Sequence, residues 1–279
     1  MVMTDYNAIK RLAMENRLDV LDMIYKKKTG HFGGSMSSMD IMTTLYALVL
    51  NTEKIKAGAP DRDRFVLSKG HNAEGLYVVL SKNGFFPKGE LETYADLCTA
   101  YAAHTTKHVK GVEFATGSLG HGLSVGLGMA IGLKKDGYSS HVYVLTGDGE
   151  QAEGSLWEAA FAAAKYKADN LTLIVDRNRL QISGNTEDVM PLDDLGKKYE
   201  AFGFNVVCCD GHDIKSLESA LKTRCDGKPT VVIANTVKGY GSVVSENKAV
   251  WHHKVPTEEE YLAIKADLTQ RIRDLEVNA

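Results

Sequence analysis

One stretch of the chain constrains its fold more than any other. His141-Val142-Tyr143-Val144-Leu145-Thr146 is an apolar strand that runs into Gly147-Asp148-Gly149-Glu150. An alanine-rich helix over Ala152 to Lys167 follows, then a second buried strand, Leu171 to Val175, ending at Asp176-Arg177-Asn178. Thirty residues separate Asp148 from Asn178, the length of one strand–helix–strand unit. Neighbouring parallel strands would bring both polar side chains to one site. A carboxylate, an amide oxygen and a nearby backbone carbonyl are hard oxygen ligands, suited to Mg²⁺ or Ca²⁺. Gly147 and Gly149 let backbone N–H groups approach an anion, and the helix that follows would present its N-terminal dipole there. The segment is thus a candidate diphosphate clamp, although Gly-Asp-Gly alone is also a plain strand-to-helix turn.

The rest of the chain alternates in the same manner. Helical spacing covers Asp5 to Lys28, glycines over Thr29 to Ser35 break it, and Ser37 or Ser38 can cap a second helix through Leu50. Arg64 to Leu67 is a short strand leading through Ser68-Lys69-Gly70-His71 into a helix from about Asn72 to Lys82, and a short helix follows near Glu90 to Leu97. Gly203 to Cys209 and Thr230 to Ala234 supply two more strands, with a helix over Leu217 to Arg224 between them and a polar helix from Glu258 to Val277 after them. Strands alternating with helices predict an α/β fold, a three-layer α/β/α sandwich with a mostly parallel sheet. At 279 residues the chain fits one large domain, spanning residues 1–279. Ligands in such sheets sit beyond the carboxyl ends of the strands.

Composition excludes other classes. Lys and Arg number 33 against 36 Asp and Glu, a formal charge of −3, so no basic excess drives nucleic-acid binding. Glycine, at 26 residues, exceeds the roughly 20 that average usage predicts, which points to backbone in close approach to something. The four cysteines have no metal spacing; Cys208 and Cys209 would face opposite sides of a strand, as thiols in a reducing compartment. Phe114 to Leu133 carries no formal charge over a span long enough for a bilayer. Its six glycines, two serines, threonine and histidine instead predict a buried loop and helix. With no signal peptide visible at the N-terminus, the expectation is a cytoplasmic protein without a membrane partner. Gly126 to Gly132 comes near a dinucleotide fingerprint, but its spacing is too long and no strand precedes it, so close helix packing is expected there.

The block from Gly147 to Asn178 resembles the thiamine-diphosphate motif, which begins Gly-Asp-Gly and ends in Asn. Around it stand Gly30-His31-Phe32-Gly33-Gly34, Ser68-Lys69-Gly70-His71, Gly111-Val112-Glu113 with Thr116-Gly117-Ser118-Leu119-Gly120, and Lys238-Gly239-Tyr240-Gly241. In order and interval, from about residue 5 to 256, they are similar to the cofactor-diphosphate domain of transketolases. The resemblance implies thiamine diphosphate and Mg²⁺, with Ca²⁺ or Mn²⁺ as substitutes. Asp148, Asn178 and the carbonyl of Leu180 become the metal ligands. Gly147, Gly149 and Glu150 lie at the diphosphate with His71 nearby, and Gly117, Ser118 and Leu119 meet the aminopyrimidine. His31, His104 and His252 face the substrate, Lys238 reaches the mouth of the site, and Glu153 contacts an activating glutamate from an opposing domain. The implied reaction is transfer of a two-carbon ketol unit between phosphosugars, in the pentose phosphate pathway.

Histidine suits proton transfer near neutral pH on general grounds. His31 and His71 each follow a glycine in a loop that precedes a helix. His104 stands in Ala103-His104-Thr105, where the family has Gly-His-Pro; its interval to Gly111 favours it over His108. His252 and His253 are adjacent, and His252 is chosen by its place after Trp251. His121, His141 and His212 read as structural. The pyrimidine-binding domain that supplies the activating carboxylate is missing. The resemblance therefore implies the N-terminal subunit of a split transketolase, with a C-terminal partner subunit in an α2β2 assembly. Rival readings are a 1-deoxyxylulose-5-phosphate-synthase-like half-site, a nucleotide-binding module, and a scaffold that merely keeps the fold.

Overall fold

Parallel strands organise the chain, whose computed structural model describes residues 4–277. They are β1 (Arg64–Leu67), β2 (Val142–Gly147) and β3 (Leu171–Arg177), then, past a small antiparallel hairpin of β4 (Leu180–Gln181) and β5 (Gly184–Asn185), β6 (Asn205–Asp210) and β7 (Thr230–Asn235). The five-stranded sheet runs β1-β2-β3-β7-β6, every pair parallel. Parallel neighbours need long crossovers, and these are the helices: α1 (Tyr6–Lys27), α2 (Phe32–Thr44), α3 (Thr52–Lys56), α4 (Ala73–Lys82), α5 (His121–Lys135), α6 (Gly154–Lys165), α7 (Thr186–Val189), α8 (Leu195–Ala201), α9 (Ile214–Lys222) and α10 (Glu258–Val277).

Strand side chains alternate between two cores. Phe65, Tyr143, Leu145, Ile174 and Val232 pack on the face covered by α1, α2, α4, α9 and α10. Val142, Val144, Leu173, Val175 and Val231 pack on the opposite face under α5, α6 and α8. Both faces being buried explains why these strands read as continuous apolar runs. The three-layer α/β/α fold is as expected. The carboxyl ends of β1, β2, β3 and β7 open on one edge, and β2 and β3 are neighbours with Gly147 beside Asp176.

Two local expectations are corrected. The second helix starts at Phe32, and neither Ser37 nor Ser38 caps it; both sit buried mid-helix, bonded back to the Gly34 carbonyl at 3.1 and 2.7 Å. Gly33 and Gly34 do not break the chain. Side chains there would collide with the Trp251 carbonyl and the Asn72 amide, so close packing demands them. The helix after Gly147-Asp148-Gly149 begins only at Gly154, behind a 3-10 turn over Gly149–Ala152. Its dipole is therefore set back from the clamp.

Other expectations hold in outline. Cys208 is exposed and Cys209 buried on edge strand β6, and all four cysteines are free. The uncharged stretch from Phe114 is a loop followed by α5, and among the described residues no helix is long and apolar enough to cross a membrane. Of the near-fingerprint glycines, Gly126 packs on Val144, while Gly128 and Gly132 face open space.

Candidate functional site

Loops at the carboxyl edge of the sheet enclose a cavity of about 430 Å³. Its lining gathers residues from six separated segments: His31 and Gly34; Lys69 and His71; His104; Gly117 and Leu119; Gly147, Asp148, Gly149 and Glu150 with Asn178 and Leu180; Lys238 and His252. Each segment follows a strand end or precedes a helix, as a parallel sheet requires of its ligand site. Gly120 shows why the sequence must be glycine beside it. Its φ is +82°, and a Cβ would lie 2.5 Å from that of Glu153.

The metal-ligand corner is built by β2 and β3. Asp148 is buried, and its Oδ2 accepts from the Arg179 backbone N–H and from Arg177 at 3.1 Å. Burial, together with the Asp176 carboxylate, pushes its carboxyl up in spite of these donors. The Asn178 Oδ1 accepts from Leu180 N–H at 3.1 Å, and the Leu180 carbonyl accepts from Lys238 Nζ at 3.0 Å. The Gly149 N–H, expected at a diphosphate, is turned onto Asp148 Oδ1 at 2.8 Å. This donor set fits a hard divalent cation. It offers only oxygen, one ligand is a buried carboxylate needing positive charge, and an ammonium already lies against another. Among the described residues no three His, Cys, Asp or Glu side chains converge on a metal position. A cation here would thus rely on Asn178, the Leu180 carbonyl and oxygens from outside the protein.

Beneath that corner lies a group that sequence reading missed. Asp176 is fully buried and accepts from Lys69, from Ser37 Oγ at 2.7 Å, from Thr236 Oγ1 and from Asn178 Nδ2 at 3.2 Å. Holding the Nδ2 end of the amide turns Oδ1 the other way. Arg177 was missed too; it ties Asp148 to Thr186 (2.7 Å) and Glu187 (2.6 Å), fastening the hairpin region to the clamp. The available signal was their position, immediately before Asn178 at the end of β3.

The histidines form one cluster with His31 at its hub. Ring centroids stand 5.0 Å away for His71, 5.7 Å for both His104 and His252, and 4.5 Å for His253. Burial first, then His253, His104 and Lys238, pushes His31 down to about 4. Burial and Lys238 push His252 to about 3, and burial with Lys69 holds His71 far below the ordinary range. These three rings are neutral at pH 7. The Lys238 amine, desolvated and near Lys69, is pushed down to about 8. His108 is exposed and outside the cavity lining. His253 touches His31 without lining the cavity, so the adjacent pair divides between wall and backing.

Three predicted residues stand differently. Glu150 reaches the cavity, but its carboxylate is engaged by Ser68, by Gly120 N–H at 2.8 Å and by Gly147 N–H at 3.0 Å; it braces the loops. Ser118 and Glu153 are exposed and do not line the cavity. Lys69, Gln181, Ile182 and Ser183 complete the wall and were not predicted. Lys69 lay inside a motif already noted, and Ile182-Ser183-Gly184 carried the turn signal of the hairpin.

Comparison with known proteins agrees with this geometry. The family described as transketolase, thiamine diphosphate binding domain, matches residues 8–274. One of the two subunits of an apulose-4-phosphate transketolase from Phocaeicola vulgatus is 42% identical over 264 residues, covering 94% of each chain. A 6-deoxy-6-sulfo-D-fructose transketolase subunit of a Clostridium species is 37% identical, again over 94% of each. Human transketolase is 37% identical over 88% of this chain but only 40% of its own length. The structure of transketolase from Campylobacter jejuni superposes with a TM-score of 0.84 at 27% identity, over 98% of this chain and 48% of that one. The chain belongs to the transketolase family and carries that family's thiamine-diphosphate-binding domain.

Proposed function

We propose that this chain is the diphosphate-and-metal half of a ketol-transfer enzyme, completed by a second polypeptide that carries the pyrimidine-binding domain. The observation that carries this reading is the convergence of Asp148, Asn178, Leu180, His31, His71, His104, His252 and Lys238 on one cavity. Asp148, Asn178 and the Leu180 carbonyl would hold Mg²⁺, and Lys238 and His71 would face the diphosphate. Bound thiamine diphosphate supplies a nucleophilic carbon able to carry a two-carbon unit from a ketose phosphate to an aldose phosphate.

The chain's own work is placement and proton handling. Gly117 and Leu119 offer backbone to the aminopyrimidine end. His31 and His252, held neutral, accept a proton from a donor hydroxyl and return it to the acceptor oxygen. Glu153, exposed beside Gly120 at the rim, is placed for a carboxyl on the partner. Its contact there would raise one of two adjacent carboxyl pKa values. The relatives named for apulose-4-phosphate and sulfofructose support a split, two-subunit enzyme and a modified-sugar phosphate as substrate. Association as α2β2 in the cytoplasm follows from the same reading.

The test is to follow ketol transfer by this chain alone, saturated with thiamine diphosphate and Mg²⁺, and again after reconstitution with its partner. Donors should include apulose-4-phosphate and common ketose phosphates. Turnover is expected only in the reconstituted complex; equal turnover by the chain alone would overturn the split-enzyme reading.

A further inference from the structure

His212 lies outside the cavity and reads in the sequence as a structural residue. Its surroundings tie it to the site. The loop Gly211-His212 follows β6 and is pinned to the end of β7 by Gly211 N–H on the Asn235 carbonyl at 2.8 Å. The imidazole then makes two bonds of opposite sense. Val237 N–H donates to Nε2 at 2.8 Å, so Nε2 carries no proton. Nδ1 lies 2.8 Å from Asp40 Oδ2 and donates to it. Asp40 is fully buried and also accepts from Arg17 at 2.7 and 3.3 Å and from Lys10 at 3.2 Å. Tyr240 stacks on the ring, with centroids 3.6 Å apart and planes inclined by 11°.

What this arrangement grips is the segment bearing Lys238. Val237 is held from one side by His212, and Gly239 N–H is held from the other by the Gly33 carbonyl at 3.0 Å. Tyr240, the next residue, lies flat on the same imidazole. Between them the Lys238 side chain enters the cavity, with Nζ 3.0 Å from both the Leu180 carbonyl and His252 Nδ1. Among these restraints only the His212 ring is a side chain bonded to the segment's backbone directly ahead of Lys238.

We propose that His212 is a positioning residue for Lys238, a neutral imidazole oriented by Asp40 and Arg17 that fixes the backbone from which the lysine reaches the cofactor diphosphate. This rests on the reading of the cavity as a thiamine-diphosphate site. The fixed tautomer makes it testable, because the two nitrogens can be replaced separately. In His212→Asn the amide stands in for Nδ1, keeping a donor toward Asp40 and losing the acceptor for Val237. In His212→Gln the amide extends to the place of Nε2, keeping the acceptor.

The experiment measures two things on the full-length chain. One is hydrogen exchange of the peptide spanning residues 236–241, with a β3 peptide as internal reference. The other is affinity for thiamine diphosphate in the presence of Mg²⁺, with Lys238→Met for comparison. His212→Asn is expected to speed exchange in 236–241 and to weaken cofactor binding about three- to tenfold, the scale of one lost hydrogen bond. His212→Gln should restore both. The thermal midpoint of both variants should remain close to wild type. Equal exchange in the two variants, or fast exchange spread equally into β3, would overturn the positioning role in favour of a general packing role. Normal cofactor affinity in His212→Asn alongside weakened binding in Lys238→Met would overturn it as well. If the wild-type chain binds no thiamine diphosphate, the cofactor reading fails instead, and the exchange data still decide whether His212 holds the segment.

Discussion

The ammonium of Lys238 stands 3.0 Å from the carbonyl oxygen of Leu180, one of the three oxygens proposed to bind a divalent cation. An ammonium and a metal ion cannot both be first neighbours of that oxygen without strong repulsion. Lys238 therefore competes with bare Mg²⁺ yet attracts the diphosphate that accompanies it. Lys238→Met should bind Mg²⁺ more tightly in the absence of cofactor and thiamine diphosphate less tightly in its presence. Isothermal titration of each ligand separately reads the two signs. A loss of both affinities would place Lys238 outside this role.

Removing a ligand of the clamp has a simpler result. Asp148→Ala should abolish cofactor binding at limiting Mg²⁺, since the diphosphate loses its bridging cation. Asn178→Ala should weaken it by at least about tenfold, the scale on which even outer-shell changes act at metal sites. Asp148 is also the partner of Arg177, so Asp148→Asn, which keeps hydrogen-bonding capacity, separates lost metal affinity from a disturbed loop. Wild-type affinity in these variants would refute the assignment.

The histidines are expected to govern rate more than folding. His31→Ala, His104→Ala and His252→Ala should each lower turnover of the reconstituted enzyme by about 10²–10⁴-fold, the usual worth of a proton-transfer group. Melting curves should change little, because these rings face a cavity. His108→Ala, exposed and away from the cavity, should leave turnover unchanged. A large fall in melting temperature with normal turnover would restore a structural role.

Glu74 carries a pH signature that is independent of catalysis. It is fully buried and accepts from His31 N–H at 2.7 Å and from Ser35 Oγ at 3.0 Å, closing the start of α2. Burial pushes its carboxyl from 4.5 up to about 7. Between those values the folded chain holds a proton that the unfolded chain has released. Its stabilising contribution is therefore whole below about pH 4.5 and is lost as pH rises through 7. Glu74→Gln stays neutral throughout, so its melting temperature relative to wild type should rise by about 5 °C between pH 5 and pH 8. A difference that does not change with pH would show that Glu74 is ionised in the fold.

Much was legible in the sequence because it is recorded in short-range pattern. The apolar runs from Val142 and Leu171 specify strands, the alanine-rich interval between them specifies a crossover helix, and the distance from Asp148 to Asn178 then follows from the length of that unit. The alternation of such units sets the three-layer fold, since parallel strands must be covered on both faces. Local pattern failed where a residue's role depends on what packs against it. Gly33 and Gly34 look like helix breakers alone, but Trp251 and Asn72 press on them and make them helix interior. His212 looks inert until the end of β7 brings Val237 onto its ring and α2 brings Asp40. Asp176 and Glu74 are acidic residues whose burial, and hence whose bonds to Lys69, Asn178 and the His31 backbone, exist only once distant segments have closed over them. Periodicity and spacing encode elements and their order; desolvation and partnership between remote side chains are properties of the assembled layers, and only the tertiary structure decides them.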